Sequence, residues 1–271
     1  MPIDVVMAVD YWEPAVRSYR LNHPGTEVIL ADLSDPDFII LILEKAKAVG
    51  IDLILGGIPC EWLSSYRVLS KVESPELIKE RALLASCLDL VHRISPRYWC
   101  LEDVKQLARE LPIMTPWREI NARNYSAQRR KRIFVGWFPE PIAGGCSDTL
   151  RHKLRQGPYR IGRRGFDRAP QLSRTFNNKT CLAAMPDRKA PTVCANCSRR
   201  DAELLVVDPD IAGGKRQMEW QEMSDLQGFP TDYVFYGSPT DVSKMVGRAV
   251  QIDTARAILQ GIVRDWEAHA H

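Results

Sequence analysis

Apolar residues fall in short blocks along the first half of the chain, and the period changes from block to block. "DVVMAVD" (4–10) is β-branched and apolar and ends in an acid, which predicts a strand. "EPAVRSYRLNHPG" (13–25) has helical spacing and closes at Pro24-Gly25. A strand is expected over "EVILADL" (27–33), a helix over "PDFIILILEKAKAVG" (36–50) and a strand over "IDLILGGIPC" (51–60). A helix over 74–95 starts at Ser74-Pro75, and strands are expected over "RYWCLEDV" (97–104) and "RIFVGWF" (132–138). Strands alternating with helices predict an α/β fold on a parallel sheet, with ligands at the carboxyl ends of the strands. The rhythm is lost over 140–215, which is rich in Gly, Pro and Arg and reads as a small irregular insert. It returns with a helix over "MEWQEMSDLQGFP" (218–230). A closing helix over 241–266 carries Met245, Val246, Ala249, Val250, Ala257 and Ile258 on one side.

Composition narrows the class. The chain is 45% hydrophobic and 26% charged, ordinary for a globular protein. No apolar run approaches the roughly 18 residues that cross a bilayer, and the first residues lack the order of a signal peptide. Seven cysteines at irregular spacing argue against a disulfide framework and for a reducing compartment. The expected location is the cytoplasm, or the nucleus in a eukaryote, with no membrane partner. A net charge of +3 hides an asymmetry: residues 151–200 hold thirteen Lys/Arg against two Asp/Glu. Such a segment fits a phosphate backbone, and binding through it should weaken steeply with salt.

"GGIPCEWLSS" (56–65) ends an apolar strand on Gly-Gly-Ile-Pro and then presents Cys60. A lone cysteine is usually packing. Four later stretches, in this order along the chain, change that reading: "LEDV" with Glu102, "NARNYSAQRRKRIFVG" (121–136), "EMSDLQGFP" (222–230) and "VGRAV" (246–250). The series resembles the DNA (cytosine-5) methyltransferase family over 4–138 and 215–262. "GGIPCEWLS" looks like its Pro-Cys nucleophile loop, and "LEDV" resembles its Glu-Asn-Val with Asp103 in place of Asn. "QRRKR" fits its Gln-x-Arg-x-Arg, and "EMSDLQGFP" its Glu-plus-Gln-Gly-Phe-Pro. "VGRAV" is similar to its closing Gly-Asn-Ala-Val with Arg248 for Asn. "NARNYSAQRRKRIFVGWFP" and "DVSKMVGRAV" lean toward the de novo enzymes of that family.

The resemblance implies a Rossmann-like class I methyltransferase sheet, formed by 1–140 and 216–271, with a target-recognition region over 141–215. It implies S-adenosylmethionine as donor and double-stranded DNA as substrate. Carbon 5 of cytosine is a poor nucleophile, and adding a thiolate to C6 turns it into an enamine carbon. Cys60 is the expected thiolate, Glu102 the group at N3, and Arg130 and Arg132, at i and i+2 on one strand face, the pair from which O2 is bonded. Asp10 is expected on the donor's ribose, Tyr11 or Trp12 on its adenine ring and Asp32 on the adenine amino group, with Pro59, Gly247 and Arg248 also lining the donor site. The target base must leave the duplex. The segment 61–74 would close over it, with Ser64 and Arg67 on phosphates, and Gln128 is also placed on the DNA. Arg160, Arg163, Arg164, Arg168, Arg174, Lys179, Arg188 and Lys189 are the expected contacts of the recognition region.

One departure stands out. Family members open with an Asp-Leu-Phe-x-Gly-x-Gly strand and loop, and this sequence instead enters directly on the counterpart of the family's second strand. The missing strand would be central, and its loss leaves unpaired edges. Three explanations are open: a start at an internal Met, a strand supplied by a second polypeptide or a second copy, or an altered donor site. The competing functions are a nucleic-acid-binding homologue without catalysis, a regulatory subunit of an intact methyltransferase, and a tRNA cytosine-5 methyltransferase. "CANC" (194–197), with Cys181 and Cys146 or His152, gives four zinc ligands on paper, but the spacing is not that of a standard finger, and no metal is assigned.

Overall fold

A computed structural model describes residues 3–58, 75–149 and 218–269, with short strands and a few single residues between 175 and 217. Each early element forms where its punctuation dictates. Strand β1 (Met7–Asp10) leads into helix α1 (Glu13–Asn22), which has a proline in its first turn. Strand β2 (Glu27–Leu30) precedes helix α2 (Pro36–Val49). The Asp35 side chain accepts the Asp37 N–H at 2.9 Å and caps α2, whose buried stripe is Ile39, Ile42, Leu43 and Ala46. Gly50 ends it at φ 74°, a conformation that costs other residues. Strand β3 (Leu53–Gly57), helix α3 (Pro75–Ile94) and strand β4 (Tyr98–Asp103) complete this run.

Two more strands are β5 (Trp117–Asn121) and β6 (Lys131–Val135). The hydrophobic pattern did not announce β5, because Trp117, Glu119 and Asn121 give its outer face no clear polarity. Strand β6 is shorter than the expected 132–138. Gly136 ends it at φ 143°, where a Cβ would sit 2.1 Å from the Trp99 carbonyl oxygen. Gly136→Ala is therefore expected to lower stability by about 2–3 kcal/mol, read as a fall in the urea midpoint at unchanged m-value.

Strands β1 to β6 form two sheets that no ladder joins among the described residues. One is β1-β2, parallel, and the other is β3-β4-β6-β5. Strands β3 and β4 are parallel, while β6 runs antiparallel to β4, so the expected parallel sheet is a mixed one. Helices α2 and α3 pack together. Ile39, Ile42 and Leu43 of α2 and Leu90 of α3 form one cluster with Met7 and Val9 of β1, while Leu84 of α3 packs with Ile58, Leu101, Ile133 and Val135.

The later elements are strands β7 (Thr175–Phe176), β8 (Lys179–Thr180), β9 (Ala183–Ala184), β10 (Leu205–Val207) and β11 (Lys215–Gln217), and helices α4 (Trp220–Gln227), α5 (Pro239–Arg248) and α6 (Ile252–Ala268). The single closing helix expected over 241–266 is thus two, broken at Ala249, which adopts ψ 143°. Helix α5 has a reciprocal cap between Ser238 and Asp241.

The chain divides into two units: 1–120, 131–141 and 258–271 in the first, 121–130 and 142–257 in the second. The second has its own core of Ala127, Ala190, Val193, Met218, Met223, Leu226, Val242 and Val246, flanked by Trp220, Phe229 and Phe235. No described helix is long and apolar enough to cross a membrane.

Candidate active site

In the first unit, the chemistry gathers at the carboxyl ends of β3 and β4. Glu102 lies opposite Gly57 in the parallel ladder, and the Ile58 N–H donates to the Glu102 carbonyl at 3.2 Å. Ile58 is two residues before Cys60. Glu102 is also opposite Phe134 of β6, which puts Arg132, two residues earlier, on the diagonal of the same face. The Arg132 Nε lies 3.1 Å from the Glu102 Oε1, in an ion pair whose side chains are only 17% and 7% exposed. A largely buried carboxylate and guanidinium thus meet at the end of the sheet where ligands bind in α/β folds. The Val104 N–H donates to the buried Asp103 carboxylate, which turns the backbone out of β4.

Arg130 does not share that face. Strand β6 begins only at Lys131, and Arg130 belongs to the second unit, 3% exposed. Its guanidinium donates to the carbonyls of Val193 at 2.7 Å, Ala249 at 3.2 Å and Gly247 at 3.4 Å. In place of the expected contact with a base, the guanidinium clamps two backbone segments, one at Val193 and one at the end of α5. Gln128, expected on DNA, is wholly buried; its amide donates to the Gln227 Oε1 at 3.2 Å and its Oε1 accepts the Val193 N–H. Gln227 in turn donates to the carbonyls of Val246 at 2.6 Å and Ala249 at 3.0 Å. The Gln of "QRRKR" and the Gln of "QGFP" are therefore halves of one buried bridge to the end of α5.

Lys189 is also internal in function. Its Nζ donates to the carbonyls of Ser126, Cys146 and Asp148 at 2.8–3.0 Å, which occupies all three of its donors. The phosphate contact expected of it gives way to a tie between three strands of chain. A signal existed: Lys189 is followed directly by the apolar "APTV", a setting for an anchored amine. Gly247 is buried within α5 and Arg248 is exposed in its last turn.

The expected donor residues sit at the carboxyl ends of β1 and β2. Asp10 ends β1, and its carboxylate accepts the Trp12 N–H at 2.8 Å. Tyr11 is 51% exposed and Trp12 is half-buried. Asp32 is exposed, just past β2, and accepts the Ser34 N–H and hydroxyl at 2.9 and 2.8 Å. Acceptor oxygens beside an accessible aromatic ring suit the hydroxyls, amine and base of a nucleoside.

Pro59, Cys60, Ser64, Arg67, Arg160, Arg163, Arg164, Arg168, Arg174 and Arg188 lie outside the described residues. So do the side chain of Lys179 and the cysteines at 181, 194 and 197. Of the described cysteines, burial pushes the Cys87 thiol up to about 11 and the Cys100 thiol up to about 12. Neither forms a thiolate at neutral pH, so both are inert packing groups, as their apolar settings imply.

The sequence matches the C-5 cytosine-specific DNA methylase family over residues 2–111 and 160–264. The chain belongs to this family. As a member it is a DNA cytosine-5 methyltransferase, and its α/β fold is the one the family requires. Similar proteins include the type II methyltransferase M.HgiDI of Herpetosiphon aurantiacus, 24% identical over 93% of this chain and 84% of its own length. M.HindV of Haemophilus influenzae is 24% identical over 96% and 89%. A solved candidate DNA modification methyltransferase encoded within an E. coli prophage superposes with a TM-score of 0.70, covering 96% of this chain and 92% of its own, at 16% identity.

Proposed function

We propose that this family member transfers a methyl group from S-adenosylmethionine to C5 of a cytosine in duplex DNA, through a covalent adduct on Cys60. The observation that supports the mechanism is the buried Glu102–Arg132 pair at the end of β4, beside the strand that runs into Cys60. The Cys60 thiolate adds to C6 of the extruded base. Glu102 holds a proton at N3 as charge moves onto the ring, and Arg132 keeps Glu102 oriented and bonds O2. The donor supplies an electrophilic methyl. Once C5 has taken it, loss of the C5 proton and of the thiolate restores the aromatic ring. Asp10, Tyr11, Trp12 and Asp32 hold the donor's nucleoside end. The basic run over 151–200 carries the duplex, chiefly through phosphates.

The test is transfer of labelled methyl to duplex DNA with wild type and Glu102→Gln. The variant keeps the size of the side chain and loses the carboxyl proton. Its kcat should fall about 10²–10³-fold with KM for DNA little changed. An equal kcat would remove Glu102 from the reaction. Methylation of tRNA in preference to duplex DNA would assign the substrate to the competing RNA reading.

A further inference from the structure

The amino ends of β4 and β5 carry an apolar surface on the first unit. Trp99 lies near the start of β4, Trp117 begins β5, and Trp137 follows the end of β6, which runs antiparallel to β4. The Trp99 N–H donates to the Trp137 carbonyl at 3.0 Å and the Gly136 N–H to the Pro116 carbonyl at 2.9 Å, so these residues meet at the ends of neighbouring strands. Trp99 is partly buried and packs in the core cluster of Leu101 and Val135, as does Leu111. Trp137 is 67% exposed and Trp117 44%. Just before Trp117, the Thr115 N–H donates to the Pro112 carbonyl at 3.1 Å and closes a turn. Ile113 and Met114 form its tip and are 94% and 92% exposed. Met114 has φ 73°, at the turn position that normally calls for glycine. The strained backbone there holds out a large apolar side chain where glycine would fit without cost.

Two aliphatic side chains and two indoles at these exposures present on the order of 600 Å² of apolar surface, as much as the largest patch a monomer leaves open. Paired with itself, the patch would remove about 1,200 Å² from water, enough for a small specific interface. Its make-up suits self-pairing. A projecting Ile113–Met114 turn lies beside flat indole rings, so a two-fold axis sets the turn of each copy on the rings of the other. The ion pairs next to it in the chain, Arg118 with Glu140 at 2.5 Å and Arg81 with Glu110 at 2.8 Å, are matched internally. They add no net charge to repel a second copy and no excess of cations to draw a phosphate backbone. Glu102 lies toward the other end of β4, so contact here leaves that end open.

We infer that this surface joins two copies of the chain in a symmetric dimer, with Ile113 and Met114 of each copy against Trp117 and Trp137 of the other. The inference rests on the surface alone, so it stands or falls independently of the Cys60 reaction.

Sedimentation velocity of the full chain, from about 1 to 200 µM, should show the mass rise from one copy to two, with a dissociation constant in the micromolar range. Ile113→Glu should raise that constant at least about tenfold. Met114→Gly should also weaken the dimer. Its urea midpoint at low protein concentration should not fall, because glycine accepts the left-handed backbone. Leu21→Glu, at an exposed apolar position on α1, should leave the dimer intact. A single-copy mass across the whole range would overturn the inference. So would a dimer that survives both turn variants, or one that Leu21→Glu weakens equally. A chain that stays single while its indole emission shifts with phosphatidylglycerol vesicles would assign the surface to a membrane and overturn it as well.

Discussion

Cys60→Ser is expected to abolish methyl transfer, with kcat reduced on the order of 10⁴–10⁶-fold, the scale seen when an enzyme loses its nucleophile. Serine's hydroxyl is hardly ionised at neutral pH, so it cannot add to C6 at a useful rate. Duplex DNA carrying 5-fluorocytosine gives a second readout, because fluorine at C5 cannot leave as a proton does and the adduct is trapped. Wild type with donor should give a band of adduct mass on a denaturing gel, and Cys60→Ser should give none. An equal adduct from the variant would move the nucleophile elsewhere. The thiols of Cys87 and Cys100 are poor replacements, since burial holds them protonated at neutral pH.

The second large effect separates two arginines that the sequence presents as a pair. Arg130→Lys should cost about 2–4 kcal/mol of stability. A lysine cannot reach the carbonyls of Val193, Gly247 and Ala249 together, and buried acceptors left without a donor are expensive. Activity per folded molecule should survive at low temperature. Arg132→Lys should do the opposite. The charge beside Glu102 is kept, so the urea midpoint should move little, while loss of the planar fork should lower kcat by about 10²-fold. Chemical denaturation and single-turnover methylation, run on both variants, give the comparison. A stable but inactive Arg130→Lys would return Arg130 to the base.

Much of the fold was legible because its signals are local. Pro36 after the Asp35 cap, the Ile39/Ile42/Leu43/Ala46 stripe and Gly50 place α2 without reference to the rest of the chain. The same holds for β1 to β4, whose residues are apolar enough to need burial wherever they land. Strand β5 was not legible, because Trp117, Glu119 and Asn121 owe their conformation to the neighbouring β6. Neither was the break at Ala249, in a stretch whose apolar spacing continues without interruption. Backbone carbonyls there are taken by Arg130 and Gln227 from far away in the chain.

By itself, the sequence determined the α/β class, the family and the chemical types at the reacting end of the sheet: a thiol after a strand, a carboxylate after the next, guanidinium groups nearby. Local periodicity and order along the chain carry that information, because a strand end needs only its own residues to be recognised. Only the tertiary structure decided which guanidinium serves the carboxylate. Arg130 and Arg132 look equivalent in a string of letters, but a strand that starts at Lys131 sends one into a web of carbonyls and the other to Glu102. It also decided that the polar groups of Gln128 and Lys189 are directed at Gln227 and at backbone within the protein. Hydrogen-bond partners 63 and 99 positions away settle such roles, and no local pattern records them.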